Sequence, residues 1–186
     1  MIILGVDPGT LITGYGVIQA EKGTVSVLEF DVIVNRNERS MPLRLREIYA
    51  KLCGIIAKFH PDEFAIETAF YGRNAQSALK LGHARGVSML AAVINEIPTA
   101  EYSPREIKKS VVGNGAASKQ QVQFMVKSLL RLRDTPKLFD ATDALAVALC
   151  HQHRLSRSKS NGRTPDRHKN WSSFVKANPG RVVKSR

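Results

Sequence analysis

Cysteine, aromatic residues and long apolar runs are all scarce in this sequence. Its two cysteines, Cys53 and Cys150, stand far apart within stretches of helical periodicity. They form no disulfide framework, and each is expected to behave as a small buried hydrophobe. No apolar stretch approaches the roughly 20 residues that cross a bilayer, and neither a secretory core nor a lipidation signal is present. A cytoplasmic protein without membrane attachment is expected. Acids are scarce in one region only: residues 154–186 carry ten Lys or Arg against Asp166 alone, so most of the net charge of +12 lies there. Any polyanion footprint on the remainder must therefore be a local patch. An apolar content of 43% suffices for one sizeable core. The expected organisation is one domain over 1–155 and a basic, flexible tail over 156–186.

The first eighteen residues, MIILGVDPGTLITGYGVI, organise what is there. Met1 to Val6 reads as a buried strand that delivers one ionisable side chain, Asp7, at its end, where Pro8-Gly9 forces a turn. A second strand follows over Tyr15–Gln19, and Gly14 and Gly16 leave room for backbone or ligand to approach. Val25–Val34 continues as a third strand with one wet face. A helix starts at Ser40, read as its N-cap, with Pro42 in the first turn. Glu63–Glu67 is a short strand ending on a second carboxylate, and the loop TAFYGRN presents Phe70 and Tyr71. In the long helix from about Ala75 to Glu96, Ala78, Gly82 and Gly86 form a stripe of little volume. It packs either on the sheet or partly against a second subunit.

Thr99–Tyr102 is a fifth strand. SPRE at 103–106 has the capping-box pattern, as does Ser118 with Gln121. The run VVGNGAASKQQ between them lacks the Gly-Lys-Ser or Gly-Lys-Thr that a phosphate-cradling loop needs. A final helix over about Leu138–His153 carries Asp140 and Asp143 on one face near its start. Cys150, His151 and His153 do not read as a metal site, because an i, i+2 spacing splays the two rings apart.

Each acid has a plain reading: turn chemistry for Asp7, and dipole complementarity for Asp140 and Asp143. Their order is more informative. Three meandering strands, a helix, a strand, a helix, a strand and then helices put the first strand centrally, beside the strand that ends at Glu67. Asp7 and Glu67 can then meet at one sheet edge while Asp140 and Asp143 approach from the last helix. Four carboxylates in one place require a cation, and hard oxygen ligands favour Mg²⁺ or Mn²⁺. Two such ions stabilise both the attacking and the leaving oxygen of phosphodiester cleavage, and the basic chain makes nucleic acid the expected substrate.

The segments LGVDPGTLITGYGVI, FAIETAFYGRNAQSALKLGHARGV, VVGNGAASKQQVQ and DATDALAVAL, in order between about Ile2 and His151, resemble the RuvC family of bacterial Holliday-junction resolvases. The resemblance implies an α/β, ribonuclease H-like fold with a central five-stranded mixed sheet flanked by helices. It further implies a homodimer that binds four-way junction DNA, cuts two opposed strands at T-rich sites and leaves ligatable ends. Two Mg²⁺ per subunit, with Mn²⁺ as substitute, and the RuvA-RuvB branch-migration complex as partner, come with it. Carried over by position, the catalytic and metal-binding acids are Asp7, Glu67, Asp140 and Asp143; some members have His in place of Asp140. Phe70 matches an aromatic that inserts at the junction centre, and Lys108 and Lys119 match basic residues near the scissile phosphate. The tail lies outside the resemblance. Two other classes fit parts of the pattern. DPGT also suits an actin- or sugar-kinase-like ATPase, but those need two such domains, and an inactive nucleic-acid-binding module would be expected to lose acids that this chain retains.

Overall fold

A computed structural model of the chain describes residues 1–21, 23–38, 40–68, 75–132 and 139–160, with side chains described to residue 157. Strands β1 (Ile2–Asp7), β2 (Ile12–Glu21) and β3 (Thr24–Val34) form an antiparallel meander. After helix α1 (Met41–Phe59), strand β4 (Glu63–Glu67) pairs parallel to β1. Helix α2 (Ala75–Ile94) leads to β5 (Thr99–Tyr102), parallel to β4. The sheet order is β3-β2-β1-β4-β5, so β1 is central. Helices α3 (Pro104–Val112), α4 (Lys119–Leu130) and α5 (Phe139–Ser160) complete the described chain.

The two-residue period of the strands divides the core into two layers. Leu4, Val6, Phe64 and Ile66 face α1 and α2, with Ile48, Leu52, Ala84 and Ala91. Ile3, Ile18 and Ala65 face the other way, onto Val122, Val126, Leu145 and Leu149 of α4 and α5. By the same period Asp7 and Glu67 fall on the α5 side.

Glycine decides how closely α5 lies on that side. Gly5 pairs with Gly16 and Asp7 with Gly14 across β1 and β2. A Cβ on Gly5 would come 2.3 Å from the Ala144 carbonyl oxygen, one on Gly16 2.7 Å from Leu145 Cδ2, and one on Gly14 2.0 Å from the Asp140 carbonyl oxygen. No side chain fits there, so the α5 backbone rests directly on the hairpin.

Several local expectations are altered. Ser40 occupies the N-cap position of α1 but makes no side-chain cap; its N–H instead donates to Glu38 Oε1 at 2.7 Å. The strict alternation of β3 breaks at Leu28, the extra residue where Val17 pairs with Glu29 and Ile18 with Val27. The last helix continues past His153 to Ser160, because neither Gly nor Pro interrupts it before Gly162. The first compact unit comprises Met1–His153. The Gly82-Gly86 stripe is not packed on the sheet: a Cβ at either position meets nothing within 4 Å among the described residues. His151 and His153 reach different partners, the Tyr102 hydroxyl at 2.7 Å and the Ser110 hydroxyl at 3.1 Å. Among the described residues no helix is long and apolar enough to cross a membrane.

Candidate active site

Asp7 closes β1 and Glu67 closes β4, adjacent parallel strands, so both carboxylates emerge at the same edge of the sheet. Each is followed by a fastened residue. The Thr13 hydroxyl, buried, donates to the Gly9 carbonyl at 2.6 Å and tightens the turn after Asp7. The Thr68 N–H donates to the Tyr102 carbonyl at 2.8 Å and fixes the chain after Glu67. Asp140 and Asp143 lie at the start of α5, whose first carbonyls sit on Gly14 next to Asp7. Positive helix ends favour anions, and α5 offers one here.

Asp7, Glu67 and Asp143 line one cavity of about 390 Å³ with Lys108 and Lys119. Lys108 comes from α3 and Lys119 from the first position of α4, each helix held by a complete capping box. Lys119 Nζ donates to Asp143 Oδ2 at 3.0 Å. Asp140 does not line the cavity but is close enough to raise both Asp7 and Lys119 electrostatically. Phe70 lies in 69–74, outside the described residues. Thr68 and Leu81 line the cavity too. Neither was singled out from the sequence; the position of Thr68 immediately after Glu67 was the available signal.

The electrostatics is that of acids short of counter-charge. Burial, then Glu67, Asp143 and Asp140, push the Asp7 carboxyl up to about 8, against a smaller opposing effect of Lys119. Burial and Asp143 push Glu67 up to about 7, opposed by Lys119 and Lys108. For Lys119, burial works against the charge, but its bond to Asp143 and the nearby Asp7 and Asp140 outweigh it, and its pKa rises. Among the described residues no three carboxylate, imidazole or thiol ligands are already closed around one point. The donor set nevertheless suits hard divalent cations: it is all oxygen, and its charge is not neutralised by the two lysines.

Comparison with known proteins places the whole fold in one family. The family model described as crossover junction endodeoxyribonuclease RuvC matches residues 3–151. The protein of that description from Salinibacter ruber is 46% identical over 182 residues, covering 98% of this chain and 99% of its own. The one from Shewanella frigidimarina is 49% identical over 173 residues, covering 90% and 99%. The solved structure of Thermus thermophilus RuvC in complex with Holliday junction substrate aligns with TM-score 0.80 at 30% identity, over 85% of this chain and 96% of that one. The yeast mitochondrial Holliday junction resolvase shares the fold at 16% identity and TM-score 0.59, over 85% of this chain and 82% of its own.

Proposed function

The chain belongs to the RuvC family of crossover junction endodeoxyribonucleases and is a divalent-metal-dependent nuclease that resolves Holliday junctions; we propose that Asp7, Glu67, Asp140 and Asp143 are its catalytic acids. The observation that carries this reading is the cavity shared by Asp7, Glu67, Asp143, Lys108 and Lys119. The four acids would hold two Mg²⁺ per protomer, with Mn²⁺ able to substitute. When bound, the ions supply Lewis-acid activation of the attacking water and neutralise charge on the phosphodiester oxygens.

The residues of the chain do the rest. Asp7 and Glu67, fixed at adjacent strand ends, set the position of the reacting phosphate relative to the sheet edge. Lys108 and Lys119 hold its non-bridging oxygens and stabilise the charge that grows on them in the transition state. Lys119 also balances Asp143. Phe70 is proposed as a wedge that stacks at the junction centre, and the basic residues that follow α5 as a sequence-blind contact to DNA.

A second copy of the chain supplies the second, symmetric cut. Support for a homodimer comes from α2, where Leu79, Gly82, Gly86, Leu90 and Val93 follow helical spacing and all are exposed, Leu79 at 62%. An exposed apolar stripe with glycine at its centre suits close helix-to-helix contact. Cooperation with the RuvA-RuvB branch-migration complex is proposed from family membership alone. The test is incubation of the protein with a mobile synthetic four-way junction and Mg²⁺, mapping nicks on all four strands. Paired nicks in two opposed strands that disappear with a chelator are expected; binding without cleavage contradicts the reading.

A further inference from the structure

The basic side chains of α3 do not all face the acids. Ile107 and Val111 are buried, and Lys108 turns into the acid-lined cavity. Arg105 and Lys109, one helical turn apart, instead line a separate groove of about 570 Å³. Its other wall is the turn from Gly113 to Ala116. Helix α3 is thus a ridge with the candidate active site on one flank and a basic groove on the other.

The groove is built rather than incidental. Gly113 takes the left-handed conformation, φ 84°, that closes α3. Asn114 Oδ1 then accepts the Ala116 N–H at 2.9 Å, and the Asn114 carbonyl accepts the Ala117 N–H at 3.2 Å. The Arg105 stem lies against this turn, since a Cβ on Gly115 would come 2.8 Å from Arg105 Cγ. Glu106, an acid on the same wall, is engaged in the helix cap, accepting from the Ser103 N–H at 2.9 Å and the Ser103 hydroxyl at 2.7 Å. Among the described residues neither Arg105 nor Lys109 has a carboxylate partner.

We propose that this groove is a second phosphate-binding site, in which Arg105 and Lys109 hold the sugar-phosphate backbone of a DNA arm beside the scissile strand. Their spacing along α3 is comparable with that of successive phosphates on one strand. Both are exposed cations, one a planar fork and the other a point charge, and both suit phosphate oxygens. Contacts of this kind fix register without reading sequence. The identity of the polyanion rests on the nuclease reading above.

The test compares the full-length wild type with the double variant Arg105→Gln, Lys109→Gln, which keeps both stems and removes both charges. Binding to a synthetic four-way junction is measured in chelator over a range of salt, together with thermal melting. The slope of log affinity against log salt should become shallower by about 2, roughly 0.9 for each phosphate released, with roughly tenfold weaker binding at physiological salt. Phosphate-ethylation interference should vanish at neighbouring phosphates of one arm. The charge-retaining pair Arg105→Lys, Lys109→Arg should restore the slope, and it decides the matter if the Gln pair melts early. An unchanged slope overturns the proposal, as does a charge-retaining pair that melts like the wild type yet lacks the restored slope. Failure of the nuclease reading looks different: the wild type would bind the junction, cut no strand when Mg²⁺ is added, and leave the slope comparison intact.

Discussion

Asp7 concentrates the electrostatic cost of the site. Its carboxyl stands at about 8 in the fold, whereas an unfolded aspartate titrates near 4. The folded state therefore binds this proton more tightly than the unfolded chain does. Stability is lost as pH rises from about 4 through about 8, where the unfolded carboxyl is ionised and the buried one resists ionisation. Thermal melts in chelator between about pH 5 and pH 8.5 should show a falling melting temperature for the wild type and a flatter line for Asp7→Asn. Mg²⁺ should raise the wild-type melting temperature most at the alkaline end. Parallel lines for the two proteins would mean that Asp7 is not the strained group. Lys119→Gln removes the 3.0 Å contact to Asp143 and a cation beside the reacting phosphate. Single-turnover cleavage of prebound junction should slow by roughly tenfold to a thousandfold; a rate within twofold of wild type would remove Lys119 from the mechanism.

At the scale of elements, two glycine pairs serve opposite purposes. Gly14 and Gly16 of β2 are filled by α5, so Gly14→Ala would drive a methyl group into the Asp140 carbonyl. A loss of about 1–3 kcal/mol in stability is expected, together with a large loss of cleavage, because the start of α5 must move away from Asp7. Gly82 and Gly86 of α2 face open space among the described residues. Gly82→Ala should strengthen the isolated helix by about 1 kcal/mol, whereas Gly82→Leu should weaken self-association measured by sedimentation. Unchanged association in Gly82→Leu would move the dimer contact elsewhere.

The same pairs show what could be read from sequence. Missing side chains at Gly14 and Gly16 were visible, as were the strand ends that deliver Asp7 and Glu67, because turn residues and alternation mark them. What fills the gap was not: α5 begins more than 120 residues later, and only the folded topology brings it there. The orientation of α2 was hidden for another reason. Small residues, Ala84, Ser88, Ala91 and Ala92, make its buried face, while the larger Leu79, Leu90 and Val93 stand exposed, so apolar periodicity favours the wrong face. Lys119 and Asp143 are 24 residues apart, and no local spacing announces their ion pair. The end of α5 was missed because a basic run reads as tail, although residues 154–160 remain helical.

For the whole molecule, charge is divided between a nearly balanced folded unit and a basic segment. Deleting residues 161–186, beyond α5, removes seven Lys or Arg and Asp166. Junction binding should weaken and its salt dependence flatten, with cut positions unchanged; shifted cut sites would make the tail part of the recognition surface. The central claim is that four acids gathered by β1, β4 and α5 cut DNA from one metal-dependent site. Single-turnover cleavage of a saturated four-way junction in Mg²⁺ by Glu67→Gln tests it most directly, with junction binding measured in parallel. The account predicts binding within a few-fold of wild type and a cleavage rate lower by about three orders of magnitude or more; paired nicks at a near-normal rate would contradict it.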